Sequence, residues 1–272
     1  MVQSALLSSR ALVRIAGTEA PHFLQNLVTC EVESMTDGST AFGALLTPQG
    51  KILFDFLLKR VEDEFVVDLN AEQVDDFVKR MMFYRLRAKV EIEKLDHVPT
   101  VTWPAEGGDA DARDARLGMR GYATDVTTST ETEWQTLRIA LGYPESGRDF
   151  EPSSTFPHEA LMDQFGHSGV DFTKGCYVGQ EVVSRMQHRG TARSRFVKIR
   201  AVNGDALPAV GTAIVAGDRA IGSMGSSVGS EGLGLLRLDR TAKAMAEGTA
   251  LHAGDTVVTA TLPDFATFDW PQ

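Results

Sequence analysis

Lys174-Gly175-Cys176-Tyr177-Val178-Gly179-Gln180-Glu181 is the stretch from which the rest of the chain can be read. It carries the second of only two cysteines, with a lysine two residues before it and a glycine on either side of Cys176-Tyr177-Val178. Residues 179–189 read as a helix, with Gln180 and Glu181 in its first turn and Val182, Val183 and Met186 on one side. An acidic residue suits a helix start, because free backbone N–H groups and the macrodipole gather there. Cys176 then stands just ahead of a positive helix end, beside Lys174, and both neighbours make a thiol more reactive. The competing reading is a small buried cysteine in a glycine-rich turn, the common fate of a free cysteine. The residues alone leave these two level.

Downstream, between Val182 and Gly204, stand Arg185, Arg189, Arg193, Arg195, Lys198 and Arg200, together with His188, and no acid. In a chain of net charge −10 this is a local positive field directly after the cysteine, placed to meet an anionic ligand. A solvated face is the bland alternative. From Phe196 the texture changes: ten of the 25 glycines fall between Gly204 and Gly254, separating short apolar runs at 210–215, 233–238 and 256–262. Short strands with turn signals at this spacing predict a small antiparallel barrel or sandwich. We place the domain boundary at 195/196, giving an α+β unit over 1–195 and a barrel over 196–272.

Upstream, Pro157 and Glu159 open a short predicted helix at 157–161. Residues 134–141 read as a strand, and 104–133, poor in large hydrophobes, as irregular. Residues 41–46, the turn 47–50 and residues 51–59 form a hairpin, with 65–69 as a third strand. Asp55 stands out between Phe54 and Phe56. The plain reading of a carboxylate inside a strand is an edge-strand or capped aspartate; the alternative is one aimed into a pocket. Thr18 caps a first helix whose Ala20, Phe23, Leu24, Leu27 and Val28 face the core. Asn70 caps a second, with Val74, Phe77, Val78, Met81 and Met82 inward. Residues 87–93 alternate as a half-exposed strand. Helices and strands mixed in this way predict an α+β fold.

The motif KGCYVGQE resembles the signature of the YgfZ-type folate-binding proteins, relatives of the aminomethyltransferase (T-protein) of the glycine cleavage system. GTEAPHFLQNLVT, LTPQGKILFDFLL, FYRLRAKVEI, ARLGMRG, RIALGYP and FPHEALM resemble further segments of that family, covering most of residues 5–200. The resemblance implies a duplicated ferredoxin-like folate-binding unit with a small C-terminal antiparallel β-barrel. It implies tetrahydrofolate, or a one-carbon derivative, as ligand. Asp55 matches the hairpin aspartate near the one-carbon centre, and Glu159 the glutamate that bonds the pterin, whose edge presents adjacent N–H donors. Tyr177, Gln180, Glu181, Arg189 and Arg193 are the further candidates for folate contacts, with Cys176 as functional thiol and Lys174 as its helper. Three departures matter. Cys30 stands where asparagine is common, Phe54 replaces the first of two adjacent aspartates of the T-protein, and the Lys-Gly-Cys motif replaces a cysteine-free segment. The last two turn the expectation from aminomethyl transfer toward folate-dependent support of iron–sulfur enzyme assembly or repair, with client or assembly proteins as transient partners. A folate-dependent aminomethyltransferase or demethylase, and a non-catalytic folate sensor or adaptor, are the rivals.

Composition sets outer bounds. The chain has 272 residues, 43% hydrophobic and 24% charged. Its charge argues against generic nucleic-acid or anionic-membrane binding, and no apolar run approaches the ~18 residues that span a bilayer. Two distant cysteines form neither a disulfide framework nor the set of about four that holds an iron–sulfur cluster. No resident metal is expected, and a reducing, cytoplasmic location is. Residues 1–18 hold Arg10, Arg14 and several serines but no acid, as a transit peptide does. Residues 11–17 nevertheless read as a strand running into a helix, hence as part of the fold.

Overall fold

A computed structural model describes residues 2–105, 110–122, 127–190 and 192–271. The chain divides into two compact units, Met1–Trp134 with Phe165–Ser184, and Gln135–Gln164 with Arg185–Gln272.

The first unit is built on β1 (Gln3–Leu6), β2 (Arg10–Ala16), α1 (Ala20–Gln25), β3 (Thr40–Leu46), β4 (Ile52–Val61), β5 (Glu64–Asn70), α2 (Val74–Arg85), β6 (Glu91–Leu95), β7 (Thr100–Trp103) and β8 (Met119–Gly121). One sheet runs β3-β4-β5-β2-β6, with every pair antiparallel; a second runs β1-β7-β8. The predicted hairpin is β3–β4, and the turn between them is closed by Thr47 N–H to Lys51 O (2.8 Å) and Gly50 N–H to Thr47 O (2.8 Å). Against the large sheet lies a core of Phe54, Phe56, Phe65, Phe77 and Met81 with the inner face of α1. Phe77 meets Phe54 and Phe56 edge-on, at centroid distances of 5.5 and 5.8 Å. As predicted, Asn70 caps the turn leading into α2, its side chain accepting from Glu72 N–H at 2.8 Å. Beneath the sheet, buried Asp68 receives Arg10 and Arg120 at once, Arg120 Nε at 2.8 Å and Arg10 also reaching the Asp68 carbonyl at 2.6 Å. Neither charge is left alone in the interior.

Several local expectations give way to the structure. Helix α1 is short, and the residue at its N-cap is Glu19, with no side-chain hydrogen bond there, so Thr18 does not serve as the cap. Residues 134–141 are not a strand. They belong to helix α3 (Glu131–Leu141), opened by a reciprocal cap in which Glu133 N–H meets Thr130 Oγ1 (3.2 Å) and Thr130 N–H meets the Glu133 carboxylate (2.9 Å). The stretch 104–133, expected to be irregular, contains β8 and a 3₁₀ turn at Ala115–Leu117; its residues 106–109 and 123–126 lie outside the described residues. No α-helix forms at 157–161. The chain makes successive turns there, with Leu161 at φ 64°, a backbone an α-helix cannot use. Met82, counted in the core stripe of α2, is exposed.

Helix α4 (Gln180–Arg189) forms as predicted. The second unit holds β9 (Ser194–Ala201), β10 (Ala213–Ala216), β11 (Arg219–Val228), β12 (Glu231–Arg237), α5 (Leu238–Ala246), β13 (Leu251–Ala253) and β14 (Thr256–Thr261). Its strands close into an antiparallel barrel in the order β10-β11-β12-β9-β14-β13, filled by Val197, Ile199, Ile214, Leu236 and Val258. Buried Arg138 in this unit bonds Asp149 Oδ2 (2.8 Å) and Ser226 Oγ (2.7 Å), which ties the segment after α3 to the barrel wall.

Candidate functional site

The cysteine motif occupies a loop that precedes α4, and the loop is fixed by buried polar contacts. Asp171 organises its start. The Asp171 N–H reaches Thr29 O (2.9 Å), while its carboxylate accepts from Thr173 N–H and Oγ1 (both 2.7 Å), from Lys174 N–H (3.1 Å) and from His167 Nδ1 (2.7 Å). Burial alone would raise the Asp171 pKa; the bonds from His167, Thr173 and Lys174 outweigh it and hold the group below the usual carboxylate range. The same contact raises His167. The sequence reading missed Asp171. Its local signal was present: an aspartate two residues before a threonine, the spacing of a side-chain turn.

Lys174 does not serve as a surface cation. Its Nζ donates to the carbonyls of Val28 (2.8 Å) and Cys30 (2.6 Å) and stands 5.5 Å from the centroid of the Tyr177 ring. Burial lowers its pKa, while the carboxylates of Glu31 and Asp171 pull it back up. The lysine expected to assist Cys176 therefore pins the motif to the segment after α1. Cys176 itself is exposed, whereas Cys30 is fully buried and its thiol is pushed up to about 12 by that burial. Between the two readings of the motif cysteine, the buried one does not hold.

The end of the loop sits against the β3–β4 turn. Gly179 has φ +82°, and a Cβ there would stand 2.5 Å from Thr47 O; Gly50, at φ +80°, would press a Cβ to 2.9 Å from Val182 Cβ. Only two glycines allow the hairpin turn and the motif to approach this closely. Tyr177 is buried, 7% exposed, and among the described residues its hydroxyl has no hydrogen-bond partner; burial drives its ionisation upward. Gln180 and Glu181 open α4, half-buried and exposed respectively.

Asp55 lies buried on β4, an internal strand flanked by β3 and β5, so the sheet-edge explanation fails. It stands opposite Ala44, and the alternation that turns Phe54 and Phe56 toward Phe77 turns Asp55 to the other face. In the second unit, the Glu159 carboxylate accepts from Phe156 N–H (2.9 Å) and its carbonyl from Phe196 N–H (2.9 Å). The basic run divides. Arg195 is buried in a two-pronged pair with Asp163 (2.8 and 2.8 Å), Lys198 faces Asp264 (3.6 Å), and Arg200 faces Glu231 (2.8 Å). Arg189 and Arg193 are exposed and, among the described residues, have no ion-pair partner. The positive field after the motif is thus weaker than the count of cations implied.

With this geometry in hand, comparison with known proteins sets the class. The structure superposes on the glycine cleavage system aminomethyltransferase T of Bartonella henselae with a TM-score of 0.71, at 16% identity, over 97% of this chain and 86% of that one. The fold is therefore that of aminomethyltransferase T, an α+β arrangement with a C-terminal barrel. Residues 193–268 match the family described as CAF17, C-terminal beta-barrel domain.

Among individual proteins, the chain is similar to an iron-sulfur cluster assembly factor IBA57 homolog, mitochondrial, of Pyricularia oryzae (29% identical, 70% of this chain, 55% of the relative). It is similar to the one of Chaetomium globosum (28%, 84% and 62%) and to human iron-sulfur cluster assembly factor IBA57, mitochondrial (26%, 97% and 84%). The chain thus spans little more than half the length of the Pyricularia relative. The cytoplasmic location expected from composition is overturned by these relatives, each of which is named as mitochondrial.

Proposed function

We propose that the protein acts in iron–sulfur cluster assembly as a tetrahydrofolate-binding factor of the YgfZ type, with Cys176 as its working thiol. The observation that carries this reading is an exposed cysteine on a loop that buried groups hold in place: Lys174 on two carbonyls, Asp171 on the loop's own N–H groups, and Gly179 on the hairpin turn. A structural cysteine has no need of such a mount. The names of the similar proteins support the process, and the fold supports the folate part. Tyr177 offers a buried hydroxyl free to bond a ligand, and Asp55 a buried carboxylate suited to an N–H-bearing ring. Lys174 acts here as a positioning residue, and iron–sulfur assembly proteins are the transient partners.

The test is a deletion strain assayed for iron–sulfur enzyme activities and complemented with the parent chain, Cys176→Ser or Tyr177→Phe. Cys176→Ser should fold and bind reduced folate yet fail to restore the activities. Full rescue by Cys176→Ser removes the thiol from the reading. Calorimetric titration of reduced folate into the parent, Asp55→Asn and Glu159→Gln tests the ligand. A loss on the order of 1–3 kcal/mol in each variant is expected for a charged hydrogen bond, and unchanged affinity in both rejects these two carboxylates as folate contacts. Turnover of a methylamine donor with tetrahydrofolate would instead establish an aminomethyltransferase.

A further inference from the structure

Helix α2 ends in a way that burial does not explain. Its last turn presents Met82 at 42% and Phe83 at 70% exposure, and the next residue, Leu86, is 83% exposed. Leu86 has φ 46° and ψ −103° at the position where a helix usually places glycine. A leucine there is held against its steric preference, and burial of its side chain does not compensate. The three side chains form an apolar knob, with Phe83 edge-on to half-buried Tyr84 at 5.8 Å.

Charge surrounds the knob on one side of the scale only. Residues 79–89 contain Lys79, Arg80, Arg85, Arg87 and Lys89 and no acid, in a chain of net charge −10. Lys79, Arg80, Arg87 and Lys89 are exposed, and among the described residues none of these four side chains has an ion-pair partner. Glu19 comes close through the backbone, its carboxylate accepting the N–H of Lys89 at 2.9 Å. The acids of α2, Asp75 and Asp76, lie in its first turn, one turn before Lys79 and Arg80, and Asp75 is taken up by Lys94 (2.8 Å).

We propose that the end of α2 is a docking surface for a partner protein that offers an apolar groove with an acidic rim. Leu86 and Phe83 enter the groove, and Lys79, Arg80 and Arg87 meet the rim. A second copy of this chain fits poorly, because a self-complementary contact would bring these cations onto one another. An anionic bilayer fits less well than an acidic protein, because the net charge of the whole chain opposes approach to an extended negative surface. The inference is independent of folate and of Cys176.

The probe is a dye-labelled amphipathic peptide with leucines on one helical face and glutamates on the other, titrated by fluorescence anisotropy against the full chain. Saturable binding that weakens with salt is expected. Arg80→Glu with Arg87→Glu should abolish the salt dependence. Leu86→Gly is the decisive variant, since glycine accepts the backbone that leucine resists. It should hold or raise the melting temperature while weakening the peptide by about tenfold or more, the equivalent of one buried leucine. A melting temperature lowered by Leu86→Gly would make Leu86 structural and overturn the proposal. So would equal binding of a lysine-for-glutamate peptide, or no binding at all. Cosedimentation with phosphatidylglycerol vesicles in the absence of peptide binding would make the knob a membrane contact instead. A dimer in sedimentation equilibrium that Leu86→Gly dissolves would make it a self-contact. Either result rejects the acidic partner.

Discussion

Gly179→Ala tests whether the cysteine loop is set by its contact with the β3–β4 turn. An alanine held at φ +82° costs about 1–2 kcal/mol in backbone strain. Its Cβ would fall 2.5 Å from Thr47 O, 3.0 Å from Leu46 Cβ and 3.1 Å from Gly50 Cα. These are mostly backbone atoms of a turn closed by two hydrogen bonds, so they cannot swing aside, and overpacking of this kind costs roughly 1–3 kcal/mol. The smaller entropy of the unfolded alanine chain returns about 0.4–1 kcal/mol. The net loss is therefore about 1–5 kcal/mol, which in a unit of this size lowers the melting temperature by on the order of 10 °C. Gly175→Ala, four residues earlier in the same loop, is the control: a Cβ there meets nothing within 4 Å, and the change should be within about 1 kcal/mol. The assay is urea unfolding followed by tryptophan emission, since Trp103 and Trp134 both belong to this unit. Equal midpoints for the two variants would refute the claim that the hairpin turn fixes the loop.

Three further outcomes follow from described contacts. Asp68→Asn removes the carboxylate that Arg10 and Arg120 share, leaving Arg120 with Asp111 at 3.9 Å, and should cost about 3–5 kcal/mol in denaturant unfolding; a loss below ~1 kcal/mol would show the shared carboxylate to be dispensable. Iodoacetamide at neutral pH should label Cys176 and spare Cys30 until the protein unfolds, because Cys30 is buried and its thiol pushed up to about 12; equal labelling read by mass spectrometry would contradict this. The Asp171 carboxyl is lowered, so its contribution is present above about pH 4 and is lost as pH falls through the folded value; His167 is raised, so its part is complete below about pH 6.5 and is lost as pH rises through its folded value. The melting-temperature gap between parent and Asp171→Asn should accordingly be widest between about pH 4 and 6.5, and a gap independent of pH would exclude the pair.

Much of the fold was legible because its signals are local. The hairpin turn, the Asn70 cap, the α4 start and the glycine-spaced strands of the barrel each announce themselves within a few residues. Helix α3 was misread since Trp134, Thr136 and Arg138 alternate with other residue types over a short window, while the decisive Thr130–Glu133 cap lies just outside it. The site was less legible. Lys174 finds its partners 146 and 144 residues away, at Val28 and Cys30, and no spacing in the motif encodes that. Arg195 and Arg200 looked like ligand-binding cations until Asp163 and Glu231 were brought beside them. Met82 obeys the core period of α2 yet faces solvent, because periodicity gives direction around a helix and not how far the covering layer extends.

The first strand of the barrel in chain order is paired with two that come much later. β9 lies between β12 and β14, and Thr259 of β14 stands opposite Arg200 of β9, 59 residues earlier. During synthesis, β9 leaves the ribosome with both its hydrogen-bonding edges open and gains β12 first. Its other edge stays bare until β14 has emerged, and closing so long a loop is slow. An open edge of Phe196, Val197 and Ile199 is a template for pairing with another nascent chain. The charged residues spaced along that strand, Arg195, Lys198 and Arg200, lie where mutual repulsion would keep two such edges apart through the wait.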